Sequence, residues 1–390
     1  MEKRQLKILM ISSLPMDLSQ IKGGVESAVI NLLTGLSKLN IAVQVVNYSS
    51  SSNTKINTNF SKNIAIQYIP AGIIKNYIYD YLIRGRRSIK KIINTYQPDI
   101  IHVQGTGPQL LLLKYSKYKN IVVTQHGIMQ EEKKYQIGLK DTFRFHVKSI
   151  IETIYLRKVE NIIFISDYNK NLYKDANLKF TTNIYNAINS DFFHKNKSQK
   201  ALNKILYVGA INKRKGLINV LKALNMLKLR GMYYKLEIIG DFTDKGYEDL
   251  IKNYLESSII IDDIIFHGWQ PPRNIIQIMQ KNSLFILPSY QETLPVSIAE
   301  AMAAGLVVIA NDVGGVSEML IEKHSGFLYT NNNLEELIKI LANLYNNPVL
   351  VNDISINAQL HAKKHFHHDV VALQTVEFYQ KINDDFQSSN

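Results

Sequence analysis

Two glutamates, Glu292 and Glu300, lie with seven residues between them in the stretch LFILPSYQETLPVSIAEAMAAGLVVIANDVGGVSE, Leu284 to Glu318. An ionised carboxylate accepts paired O–H donors, so two of them suit the hydroxyls of sugar or ribose rings. Between them the chain reads as a helix start. Thr293 is placed to cap it and Pro295 falls in its first turn, where a missing N–H does no harm. The N–H groups around Leu294 and Val296 then favour an anion. Far upstream, KILYVGAINKRKG puts Arg214 and Lys215 just before a second helix start near Gly216. Cations there oppose the helix dipole and are favourable when an anion is bound between them. A phosphate gripped in the middle with hydroxyls held on both sides describes a nucleotide sugar.

These residues need a scaffold that gathers strand ends. Apolar runs at Leu284–Leu287 and Leu306–Ala310, separated by an amphipathic segment, give the βαβ pattern of a parallel sheet. Leu6–Ser12, Ile41–Asn47, Ile100–Gln104, Ile121–Gln125, Asn161–Ser166, Ile205–Val208, Lys235–Gly240 and Ile264–Trp269 are further strand candidates. His126-Gly127 follows Ile121–Gln125, and a side chain at the carboxyl end of a parallel strand lines the ligand crevice. There a histidine can hydrogen-bond a sugar or handle a proton. Gly23 and Gly24 open a helix running to about Leu39 and allow close backbone approach to a ligand. His267, in the run His267-Gly268-Trp269, ends another strand. GTGPQL after Ile100–Gln104 lacks the third glycine and the acidic residue of a dinucleotide fingerprint, so a nicotinamide role is rejected.

The 390 residues suit two domains. We expect one over residues 1–190, a polar Lys-rich linker from Asp191 to Asn203, a second over 204–368, and a last helix, 369–390, crossing back to the first. The chain has no cysteine, which excludes disulfides and zinc–thiolate sites. Asp17 closely follows the short apolar run near the N-terminus, so this segment reads as a strand rather than a signal peptide. His361, His365, His367 and His368 lack acidic companions in a strand-end setting, and no metal site is expected.

The net charge of +13 is uneven: residues 1–200 carry 29 Lys and Arg against 13 Asp and Glu. That asymmetry points to an anionic partner for the first half. Residues 73–96 read as an amphipathic helix with Arg84, Arg86, Arg87, Lys90 and Lys91 on or near one face, suited to an anionic lipid surface or simply to solvent. Lys133, Lys134, Lys140, Arg144 and Lys148 continue the basic character. No nucleic-acid motif accompanies the charge. Residues 48–63, rich in Ser, Asn and Thr, read as a mobile surface loop.

The two glutamates, AMAAG after them, the VGGVSE turn, the Gly23-Gly24 turn and Lys215 together resemble the retaining glycosyltransferases of family four. The resemblance covers the whole chain and is strongest from Gly209 to Glu318. It implies the α/β GT-B fold, two facing Rossmann-like domains with the active site between them. It implies sugar transfer from a nucleoside diphosphate sugar, a UDP-sugar as the first expectation, to an acceptor hydroxyl. It places Lys215 on the leaving group, where Arg214 of the RKG run is expected to take over part of the role of the family's missing Arg, Glu292 on the donor sugar, Glu300 on the ribose and His126 beside the transferred sugar. Gly23, Gly24, Gly209, His267, Thr293 and Leu294 complete the donor-binding set. No Asp-x-Asp motif is present, so no metal or other cofactor is expected and cations with helix ends must stabilise the leaving group. The expected acceptor is a glycan on a lipid carrier at the cytoplasmic face of the cell membrane; a soluble acceptor is the alternative. The sequence departs from the family pattern in two places. Ala210 stands where Arg usually follows the glycine, and Ala187 and Asn189 replace the Gly and Asp after Asn186. A nucleotide-sugar-binding protein without catalysis is therefore a third reading.

Overall fold

The computed structural model describes residues 4–18, 20–21, 23–49, 55–71, 77–118, 120–134, 139–173, 178–193, 201–330 and 333–388. Most of the Asp191–Asn203 linker, the start of the 73–96 segment, and the side chains of Lys133 and Lys140 lie outside the described residues. The chain forms two compact units: residues 1–187 with 368–390, and residues 188–367.

In the first unit eight strands make one sheet: β1 (Leu6–Ile11), β2 (Ile41–Ser49), β3 (Ile56–Asn59), β4 (Ile64–Pro70), β5 (Ile100–Gln104), β6 (Ile121–Gln125), β7 (Asn161–Phe164) and β8 (Phe180–Asn183). Their order is β3-β4-β2-β1-β5-β6-β7-β8, parallel except for the edge strand β3. Residues 48–63 are therefore not simply a loop. β2 continues to Ser49 and β3 pairs antiparallel with β4, Ile56 opposite Tyr68. Of the four β3 residues only Ile56 is more than marginally covered, so the polar composition that signals a loop is also that of an exposed edge.

Alternation along the strands sorts the core onto both faces. Ile8 and Met10 pack with Val43 and Val45 on one side, Leu9 and Ile11 with Val46 and Tyr48 on the other. Strands covered on both faces read as continuous apolar runs, which is why they were visible in the sequence. The Gly24–Leu36 and His368–Ser388 helices cover the first face. A methyl at Gly35 would sit 2.3 Å from the His368 carbonyl oxygen, so glycine permits this close crossing. The Arg86–Tyr96 and Leu139–Leu156 helices cover the second face.

The second unit is one parallel sheet of β9 (Ala201–Val208), β10 (Lys235–Ile239), β11 (Ile264–Gly268), β12 (Asn282–Leu287), β13 (Val307–Asn311) and β14 (Gly326–Tyr329). The order β11-β10-β9-β12-β13-β14 is that of a doubly wound fold, with the direction of winding reversing between β9 and β12. Every residue of β12 and β13 is buried.

Candidate functional site

Open α/β sheets bind ligands outside the carboxyl ends of their strands, at the point where the strand order reverses. In the second unit that point lies between Val208 and Leu287. After β9, the Tyr207 hydroxyl donates to the Ala210 carbonyl at 2.9 Å, and Asn212 caps a short turn, Lys213–Lys215, by accepting from the Lys215 N–H at 3.2 Å. Gly216 follows at φ +69°, and the Leu217–Leu229 helix begins. After β12, the Tyr290 N–H donates to the Arg214 carbonyl at 2.8 Å, lacing the two loops together.

This lacing brings the predicted residues into contact. Lys215 Nζ lies 2.5 Å from one Glu292 oxygen, and the Arg214 guanidinium lies 3.7 Å from the other while donating to the Gln291 carbonyl at 2.8 Å. The Glu292 side chain is only 8% exposed. Burial works to raise its carboxyl, but the Lys215 and Arg214 charges outweigh burial and hold it below the usual carboxylate range. Two cations thus share one carboxylate, an excess of one positive charge in a recessed site. Bonding to Glu292 uses one of the three ammonium hydrogens and leaves two for another acceptor. The space beside Gly209 is part of this site: a Cβ there would stand 3.9 Å from Lys215 Nζ.

A methyl at Gly216 would fall 2.2 Å from the Pro288 carbonyl oxygen, and its backbone is left-handed. Gly216→Ala is accordingly expected to cost about 2 kcal/mol or more and to weaken donor binding in parallel, measured by thermal denaturation with and without nucleotide sugar.

Glu300 sits in the Val296–Ala303 helix, about 6 Å along its axis from the first residue at ~1.5 Å per residue. Desolvation pushes its carboxyl up to about 7. The helix start differs from the sequence expectation. Pro295, not Thr293, occupies the cap position, its backbone is extended, and no side chain caps the helix. The Thr293 carbonyl instead accepts from the Gly315 N–H at 3.1 Å, tying the VGGVSE turn to this loop. Thr293 and Leu294 are buried. At His267 the resemblance implies contact largely through backbone, with the ring a bystander. Its Nε2 lies 2.8 Å from Glu237, which also holds Lys204 at 3.5 Å, so the side chain is committed to a charge cluster on the sheet.

In the first unit, Gly23 precedes the Gly24–Leu36 helix in extended conformation, with open space where a side chain would be. His126 borders a small cavity lined also by His102, Gln104, Thr124 and Asn186. Its Nε2 lies 2.7 Å from Gln104 Oε1 and its Nδ1 3.0 Å from the Asn186 amide. Gln104 in turn faces His102, whose other contacts are the Thr124 hydroxyl at 2.7 Å and the Tyr379 hydroxyl at 2.5 Å. Burial lowers His126 to about 4, so near neutral pH the ring is uncharged and fit to exchange hydrogen bonds rather than to neutralise an anion. Gln104 closes β5 at the same edge, and the strand-end rule that found His126 would have found it too.

Glu152 escaped the sequence reading altogether, because one glutamate in an amphipathic helix carries no signal. It is fully buried and accepts from the Thr106 hydroxyl at 2.8 Å, the Gln125 amide at 3.2 Å and the Met129 N–H at 2.9 Å. It therefore anchors the loops after β5 and β6, the second of which carries His126. Burial pushes it up to about 7. A raised carboxyl contributes stability that is complete below its unfolded value and is lost as pH rises through about 7. Glu152→Gln should remove that component. Wild type should lose about 2–3 kcal/mol relative to the variant between pH 5 and 9, read by urea denaturation at each pH.

The second unit is thus a doubly wound α/β sheet that gathers Lys215, Arg214 and Glu292 at its strand-order switch. Residues 22–192 match Glycosyltransferase Family 4 and residues 189–361 match Glycosyl transferases group 1. The chain belongs to the GT-B glycosyltransferases of the family-four type. An uncharacterized glycosyltransferase of Haemophilus influenzae is 27% identical over 349 residues, 87% of this chain and 91% of that one. The amylovoran biosynthesis glycosyltransferase AmsK of Erwinia amylovora is 26% identical over 188 residues, 46% of this chain and 45% of that one. The solved structure of Anabaena HepE in complex with UDP-glucose superposes with a TM-score of 0.71 at 18% identity, covering 97% of this chain and 100% of that one.

Proposed function

We propose that this glycosyltransferase takes a sugar from a UDP-sugar and passes it, with retention at the anomeric carbon, to a hydroxyl of a lipid-linked glycan in bacterial surface polysaccharide assembly. The observation that carries the donor reading is the Arg214–Lys215–Glu292 cluster at the strand-order switch. The HepE complex with UDP-glucose supports the donor class, and the name of AmsK supports a role in polysaccharide assembly.

In this reading the bond from the anomeric carbon to the leaving phosphate breaks as the bond to the acceptor oxygen forms on the same face. The departing phosphate oxygen takes the acceptor's proton. Lys215 and Arg214 stabilise the charge left on the diphosphate, as preorganised cations in a dry site do. Glu292, held ionised, accepts hydrogen bonds from the donor sugar, Glu300 accepts them from the ribose, and His126 contacts the transferred sugar. Gly23, Gly24, Gly209, Thr293 and Leu294 serve by backbone. With no Asp-x-Asp pair in the sequence, transfer is expected to proceed unchanged in a chelator.

The non-catalytic reading rests on Ala210 and on Ala187 and Asn189 after Asn186; the first of these has an answer in the structure. Arg214, 3.7 Å from Glu292, supplies a guanidinium in the same site and weighs against it. Purified protein should show a raised melting temperature with UDP-sugars and should release UDP slowly to water, faster with a lipid-linked acceptor than with soluble glycans. Failure of every nucleotide sugar to shift melting would overturn the donor reading. Equal rates on soluble acceptors would overturn the lipid-linked one. Among the described residues no helix is long and apolar enough to cross a membrane, so the proposed position at the inner face of the membrane is a peripheral one.

A further inference from the structure

The Leu139–Leu156 helix of the first unit lies on the sheet with Glu152, Ile151 and Leu156 inward. Its outer side is not polar. Phe143 is 70% exposed, Ile150 45% and Ile154 47%. At roughly 100° per residue, these three and the half-buried Val147 fall within an arc of about 60°. Arg144 and Arg157 flank this stripe on opposite sides, and both are exposed.

The neighbouring cover of the same sheet face is the segment Tyr81–Tyr96. Arg86 joins the two: it donates to the Leu111 carbonyl at 2.7 Å and to the Tyr155 hydroxyl at 3.1 Å. Arg86 is therefore a structural strut, which removes it from the expected membrane-facing set. Arg84, Arg87, Lys90 and Lys91 remain exposed. Among the described side chains of Tyr81–Tyr96 and Thr142–Leu156 the single carboxylate is Glu152, and it is buried. Just outside these segments Glu160 is exposed and buried Asp80 pairs with Arg84 at 3.8 Å, yet exposed cations still predominate beside the apolar stripe, a combination complementary to one partner above others, an anionic bilayer surface.

We propose that this outer layer is the membrane-docking face: Phe143, Ile150 and Ile154 enter the boundary between headgroups and acyl chains while Arg84, Arg87, Lys90, Lys91, Arg144 and Arg157 hold anionic headgroups. This deepens the lipid-linked-acceptor reading and rests on it. It also moves the inserting element from the 73–96 helix, where sequence patterning placed it, to Leu139–Leu156. The helix that looks most basic in sequence supplies charge; the adjacent one supplies the apolar surface.

The test is co-sedimentation of the full chain with phosphatidylcholine vesicles, with and without phosphatidylglycerol. Binding is expected only with phosphatidylglycerol, and it should fall steeply with salt. Phe143→Ser/Ile150→Ser/Ile154→Ser should weaken it at least tenfold. Arg87→Gln/Lys90→Gln/Lys91→Gln should weaken it about a hundredfold, near fivefold per cation. Phe143→Trp, read against the parent's single Trp269, should give blue-shifted emission on vesicles. Undiminished binding of the triple serine variant, or no blue shift, overturns the proposal. So does a dimer in solution that the serine variant dissolves, since a second copy would then cover the face. Melting shifts with UDP-glucose are measured on the same variants. Absence of a shift with every nucleotide sugar in wild type refutes the donor reading whatever the vesicles show, whereas retained shifts without vesicle binding refute only the docking face.

Discussion

Lys215→Ala is expected to lower turnover by about 100-fold or more, the loss seen when a preorganised charge is removed from a leaving group. It is expected to lower stability as well. Lys215 is 2.5 Å from a carboxylate that is 8% exposed, and removing it leaves Glu292 with the more distant Arg214 guanidinium alone. Breaking a buried pair by deleting one partner costs about 3–5 kcal/mol, and Arg214 should reduce this to about 1–3 kcal/mol. The two losses are separable. In Lys215→Ala/Glu292→Gln neither charge of the buried pair is stranded and only Arg214, 26% exposed, loses its counter-charge, so stability should largely return while turnover stays low. Wild-type stability should also decline as pH falls through the depressed value of Glu292, since a lowered carboxyl contributes only while ionised. Steady-state kinetics and urea denaturation of wild type, Lys215→Ala, Glu292→Gln and the double variant decide the matter. A Lys215→Ala enzyme within threefold of wild-type turnover would remove the leaving-group role.

The second large effect is a pH dependence of donor affinity set by Glu300. Burial raises this carboxyl to about 7 in the free protein, so its protonated form is populated near neutrality. Ribose hydroxyls donate to the ionised form, so binding favours ionisation and the bound carboxyl titrates lower. Affinity for a UDP-sugar should therefore rise with pH up to about 7 and level off above it. Glu300→Gln should flatten that profile and weaken binding by about 10- to 100-fold at pH 8, the worth of hydrogen bonds to a charged group. Stability moves oppositely. In the free protein Glu300 contributes most below its unfolded value and loses that contribution as pH rises through about 7. The glutamine variant should thus hold its melting temperature better at alkaline pH. Calorimetric titration from pH 5.5 to 8.5 tests both signs, and an affinity that falls with pH over this range would contradict the assignment.

The places where sequence reasoning failed share a cause. Thr293 has the right side chain for a helix cap, but its carbonyl is needed by Gly315 and the helix starts at Pro295 without a side-chain cap. Arg86 belongs to a basic run and spends its guanidinium on Leu111 and Tyr155. Each side chain was bound by a partner distant in sequence, and a one-dimensional pattern does not contain distant partners.

What the sequence alone determined was local: buried strands that announce themselves as apolar runs, glycines where loops must cross closely, and the residue types able to bind phosphate and hydroxyls. Those depend on solvation and on backbone sterics within a few positions. Tertiary structure decided what those residues do to one another. Only when β9 and β12 become neighbours does Glu292 meet Lys215, 77 positions away, and acquire the two cations that keep it ionised in a recessed site. Only packing shows that Glu152 is interior and that Phe143 is not. Charge interactions fall off with distance in space, whatever the separation along the chain.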